Sequence, residues 1–184
     1  MVADGLYDQN KFGLPKPDIV LGQHTHSFKA GMVALGGGPI LTAVDSHDVR
    51  IFGKSGHICR ADLCVDPVVT ASHIVVRLQS IVTKEVRPEE FAVVGCASIY
   101  GGSTANIVLD FVDLKLSIRS YNSAVHERLV APVKRVIYSE CEASGCLAVR
   151  EPEIKTLCTL LRRSTTSPPP MSSKNLSAKT LVIT

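Results

Sequence analysis

The chain has no tryptophan, and aromatic residues make up only 5% of its 184 positions. Single-stranded nucleic acid therefore finds few platforms on which its bases could stack. A dominant charge is missing as well, since 20 Lys and Arg stand against 17 Asp and Glu for a net charge of +3. No run of either sign forms a stripe, so a nucleic-acid partner has no electrostatic footprint to meet. No stretch approaches the roughly twenty apolar residues that cross a bilayer, and the opening MVADGLYDQNKFG has no apolar core of signal-peptide length. These absences lead us to expect a cytoplasmic protein without membrane or nucleic-acid partners. In that setting the six cysteines are expected to be reduced thiols rather than disulfides.

The chain is organised around residues 43–82, AVDSHDVRIFGKSGHICRADLCVDPVVTASHIVVRLQSIV. Asp48 and Arg50 alternate with Val49 and Ile51, the period of a half-buried strand. Gly53 and Gly56 then permit a tight loop that presents His57. Asp66 followed by Pro67 supplies an N-cap and a first-turn proline, so a helix is predicted over 67–84. Val68, Ala71, Val75, Leu78 and Val82 recur at steps of three and four and form its predicted apolar stripe.

Further along, strands are predicted over 91–100 and 107–119, a helix over 123–143, and a last strand within 147–157. The second helix carries Val125, Leu129, Val133, Val136 and Ile137 inward. Pro132 falls inside it, where a proline costs on the order of 3 kcal/mol and kinks a helix. A βαββαβ order closes into a four-stranded antiparallel sheet with both helices on one face, the ferredoxin-like α+β arrangement.

Outside this unit the patterns change. Ile19, Val20 and Leu21 form an apolar run suited to a buried strand, the GGGP at 36–39 marks a hinge, and the end of the chain is rich in Ser, Thr and Pro. The expected division is residues 1–38 as hinge and remnant of another domain, 39–160 as the α+β domain, and 161–184 as a disordered tail.

The stretches GPILTAVDSHDVRIFGKSGH, DPVVTASHIVVRLQSIV, VVGCASIYGGSTANIVLD and LKLSIR, in that order, resemble the lid or dimerisation domain of the zinc-dependent amidohydrolases and metallopeptidases. That family includes aminoacylases, hippurate hydrolases, auxin-conjugate hydrolases and carboxypeptidase-like enzymes. The resemblance implies an intact enzyme that cleaves the amide of an N-acyl or peptidyl amino acid at a zinc centre, and a lid that pairs as a homodimer. It also implies roles for single residues. His57 stabilises the oxyanion at a partner's centre, Asn106 and Arg119 bind substrate, and His24 occupies a metal-ligand position. Only His24 of the family's metal ligands is present, so the chain is expected to be a truncated form that binds no metal and is inactive by itself.

Two other readings stand beside this one. A ferredoxin-like domain can act as an independent binding module through an exposed sheet edge. Cys59 with Cys64, and Cys141 with Cys146, are spaced at the limit of a thiolate metal pattern.

Overall fold

The computed structural model describes residues 38–160 and 163–165, together with scattered positions between 5 and 31. His24, the run 19–21, the first hinge glycines and the tail beyond 165 lie outside the described residues. Two compact units divide the chain, Met1–Ile40 with Ser164–Thr184, and Leu41–Arg163. A two-stranded sheet pairs β1 (Gly38–Leu41) with β8 (Arg163–Thr165).

The second unit runs β2 (Ala43–Phe52), β3 (Gly56–His57), α1 (Pro67–Glu85), β4 (Ala92–Tyr100), β5 (Ile107–Val108), β6 (Phe111–Ser120), α2 (Ser123–Ala143), α3 (Cys146–Val149) and β7 (Glu153–Leu160). Its main sheet has the order β4-β6-β2-β7 and every neighbouring pair is antiparallel. This is the expected ferredoxin-like order, with α1 and α2 packed together over one face. Alternation decides which side chains meet them: β2 turns Val49 and Ile51 inward, where their β6 partners Leu114 and Val112 are also buried.

Asp66 caps α1 as predicted, its carboxylate accepting from the Val68 and Val69 amides at 2.8 and 3.4 Å. The buried stripe differs from the expected one. Thr70, Ala71, Ile74, Leu78 and Ile81 are buried, whereas Val68 is exposed and Val75 and Val82 are half-buried. Apolar residues surround this helix on several sides, so periodicity alone does not set its rotation. At its start Pro67 packs against Gly53 so closely that a Cβ there would lie 2.4 Å from the proline Cδ.

α2 opens on an Asn122 cap, whose Oδ1 accepts from the Ala124 amide at 2.9 Å. It buries the five predicted residues and His126 and Cys141 as well. The helix runs on through Pro132, which lines a cavity of about 260 Å³ with Ile81, Val86, Val125 and Leu129. Pro132→Ala restores a backbone donor and removes a ring only partly buried. It is therefore expected to raise unfolding stability by roughly 1–2 kcal/mol, read as a higher urea midpoint at unchanged slope.

The last predicted strand begins inside its expected window and runs past it, over Glu153–Leu160. Gly145 adopts φ +78° and ends α2, and the next residues form the turn α3, which buries Cys146 beside the Thr70 hydroxyl at 3.2 Å. Strand structure resumes only at Glu153. The predicted strand over 107–119 is likewise two pieces, broken at Leu109 and Asp110, where the Asp110 carbonyl accepts from the Gly53 amide at 2.7 Å.

Candidate functional site

The loop after β2 is held at both ends. Lys54 and Val65 exchange backbone hydrogen bonds at 2.9 and 3.1 Å, and the Ser55 hydroxyl donates to the Val108 carbonyl at 2.8 Å. Gly56 lies against the Cys64 Sγ, where a Cβ would come within 2.6 Å. These contacts let β3 form a short antiparallel ladder with β5, pairing His57 with Ile107. The ladder continues one step, with the Ile58 amide donating to the Asn106 carbonyl at 3.0 Å.

His57 and Asn106 are thus neighbours across two short strands, and both are exposed. Nδ1 of His57 accepts from the Cys59 amide at 3.2 Å. An accepting Nδ1 places the proton of the neutral imidazole on Nε2. The ring is therefore set as a hydrogen-bond donor, the polarity that an anionic oxygen requires.

Arg119 is elsewhere. It lies near the far end of β6, paired with Val44 and Val93, and its Nε donates to the Ser117 hydroxyl at 3.3 Å. From Phe111, near β5, the strand runs eight residues to Arg119, about 26 Å at the usual rise. The Asn106 backbone thus lies one ladder step from His57, whereas Arg119 lies at the opposite end of the sheet.

Between those ends, the sheet face away from the helices is a ladder of ion pairs. Arg50 grips Asp113 through two hydrogen bonds of 2.7 and 2.8 Å and stacks over the Phe111 ring, and Lys115 reaches Asp48 at 3.0 Å. The Arg50 guanidinium holds the Asp113 carboxyl below the usual carboxylate range.

All six cysteines are free. Burial pushes the Cys141 thiol up to about 12 and the Cys146 thiol upward too, which makes both poor thiolate ligands at neutral pH. Among the described residues, no three or more His, Cys, Asp and Glu side chains are grouped so as to hold a metal ion. The described residues therefore do not fit a two-metal hydrolytic centre. Sequence reasoning passed over the buried polar residues Asp45, His47 and His126. The signal was available, since Asp45 and His47 share the inward phase of Val49 and Ile51.

Among the described residues the β4 edge has no partner strand and exposes Val93, Ile99 and Tyr100, and the outer side of α1 exposes Val69 and Val76, the latter at 74%. No helix among the described residues is long and apolar enough to cross a membrane.

The family model for the peptidase dimerisation domain matches residues 44–144. N-acetyl-L-cysteine deacetylase of Bacillus subtilis is 35% identical over 113 residues, which cover 61% of this chain and 27% of the deacetylase. Hippurate hydrolase of Campylobacter jejuni is 30% identical over 156 residues, covering 84% of this chain and 38% of the hydrolase. The chain thus spans well under half the length of these relatives. Among solved structures, an aminobenzoyl-glutamate utilization protein from Klebsiella pneumoniae superposes with a TM-score of 0.59 at 16% identity, covering 73% of this chain and 32% of that one. A dinuclear metal-binding peptidase of Bacillus subtilis gives 0.52 at 20% identity, covering 75% and 32%. At these identities the structural likeness establishes the fold alone.

Proposed function

The chain belongs to the peptidase dimerisation domain family, and we propose that it acts as the lid and dimerisation domain of a metal-dependent amidohydrolase. The substrates of that enzyme are amides of N-acyl or peptidyl amino acids. The metal, zinc or another divalent ion, belongs to a catalytic domain; His24 is at most one ligand from this chain. By itself the chain is inactive, and it works in the cytoplasm as a homodimer joined through α1 and the β4 edge.

The observation that supports this reading is the β3–β5 ladder, which holds a donor-polarised, exposed His57 one step from the Asn106 backbone. In this role His57 Nε2–H donates to the oxyanion that develops as the scissile carbonyl is attacked, and Asn106 contacts the substrate next to it. Arg119, with a planar fork suited to a carboxylate, binds the acid group of the amino acid. The length of β6 separates it from His57, too far for one chain to close both on a single small substrate. Two lids related by a two-fold axis can bring the His57 rim of one toward the Arg119 end of the other.

The test is a chimera in which residues 41–163 replace the lid of the Campylobacter hippurate hydrolase. His57→Ala in the chimera is expected to lower kcat about a hundredfold with little change in KM, the loss typical of one oxyanion donor. Unchanged kcat would remove His57 from the chemistry. An active chimera that stays monomeric would favour an independent binding module over a dimeric lid.

A further inference from the structure

A buried polar cluster lies between β2 and α2, on the helix-covered face and away from the His57 rim. Asp45 and His47 point inward from β2 and His126 comes from the first turn of α2, and all three are more than nine-tenths buried. The contacts among them are incomplete. His126 Nε2 lies 2.9 Å from Asp45 Oδ2, close enough for an ion pair but without hydrogen-bond alignment. His47 Nδ1 meets the Thr156 hydroxyl of β7 at 3.1 Å. Asp45 Oδ1, His47 Nε2 and both ring nitrogens of His126 have no hydrogen-bond partner among the described residues. Buried polar atoms left this way cost about 1–3 kcal/mol each, so an apolar cluster would have been more stable here.

We propose that this cluster is a proton-sensitive clamp that holds α2 on the sheet while His47 is neutral and loosens when His47 takes up a proton. The inference is independent of the lid's catalytic role. The groups facing His47 determine the direction. From β2 Asp45 faces it, from α2 Lys134 and His126, from β7 the Thr156 hydroxyl, and from β6 only the apolar Leu116 and Ile118. A proton on His47 places a cation near Lys134 and His126 with one carboxylate to answer them. The adjoining cavity, about 10 Å³ among Val49, Val130, Val133 and Ile137, offers at most one water's worth of hydration. Burial accordingly holds the His47 imidazole below its ordinary value of 6.5, against the opposing pull of Asp45.

The sign of the stability effect follows. A histidine that is harder to protonate in the folded chain stabilises it fully above 6.5, and that stabilisation is lost as pH falls from 6.5 toward the folded value. Thermal unfolding of the full chain, followed from about pH 7.5 to about pH 5, is expected to show a midpoint that falls by several degrees. His47→Gln is expected to remove at least half of that fall. Lys134→Gln, which leaves the cluster's packing in place, should make it shallower and serves if the His47 variant does not fold. The His47 ring, followed by NMR, should titrate below 6.5. A midpoint that holds or rises as pH falls would overturn the proposal. So would a His47→Gln protein with the full pH dependence, or a His47 ring that titrates at 6.5 or above.

Discussion

Gly53→Ala is expected to cost on the order of 4 kcal/mol, beyond the usual 1–3 for an overfilled core. An added Cβ would lie 2.4 Å from Pro67 Cδ and 2.5 Å from the Val65 carbonyl oxygen. Neither atom is the free end of a flexible side chain, so relief requires moving the start of α1 or the segment before it. The same glycine donates its amide to Asp110 at 2.7 Å, at the break between β5 and β6. A shift here would disturb the β3–β5 ladder together with the rotation of α1. Urea unfolding should show the loss. The variant should also lose ordered His57 and Asn106 signals before the rest of the sheet, because the rim depends on this contact and the sheet does not.

Leu78→Ala is the second large effect, expected at about 3–5 kcal/mol. Leu78 is fully buried in the middle of α1, in one cluster with Ile74 and Ile81 from its own helix, Leu114 and Ile118 of β6, and Leu129, Val133 and Ile137 of α2. Truncation leaves a cavity that two helices and a sheet cannot close together, since each is held by its own backbone bonds. The neighbouring Val76→Ala, at an exposed position, is expected to change monomer stability by less than about 0.5 kcal/mol. The contrast between the two, measured by chemical denaturation, checks that α1 turns Leu78 and not Val76 to the core.

That rotation shows where sequence reasoning ends. The existence and start of α1 were legible because Asp66 and Pro67 are local signals with local causes. Its buried face was legible in part, through Ala71 and Leu78, but valines and isoleucines occupy several sides, so Ile74 and Ile81 rather than Val68 complete the stripe. The limits of α2 were legible through its inward residues, and Pro132 was correctly seen as a conflict, but the continuity of the helix through it is a matter of tertiary packing. The last strand was legible, but the short helical turn before it was not, because it depends on a left-handed Gly145 and the burial of Cys146 beside Thr70.

For the candidate site, the sequence showed residue types but not distances. His57 and Asn106 are far apart in the chain, and their approach depends on a ladder of two residues per strand, stitched by Ser55 to the Val108 carbonyl. Arg119 was grouped with them through the resemblance of LKLSIR to the family's lid, which carries no distance. The break at Asp110 and the straight course of β6 then carry it to the other end of the sheet. This separation makes a second copy of the chain necessary to the proposed site.

Self-association is therefore the claim on which the account depends most. The direct measurement is sedimentation equilibrium of the full chain beside a Val69→Glu, Val76→Glu variant, which places charges on the exposed side of α1 without touching the core. The account predicts a dimer for the parent chain and a folded monomer for the variant. A parent chain that stays monomeric at every concentration, or a variant that dimerises as well as the parent, would contradict it.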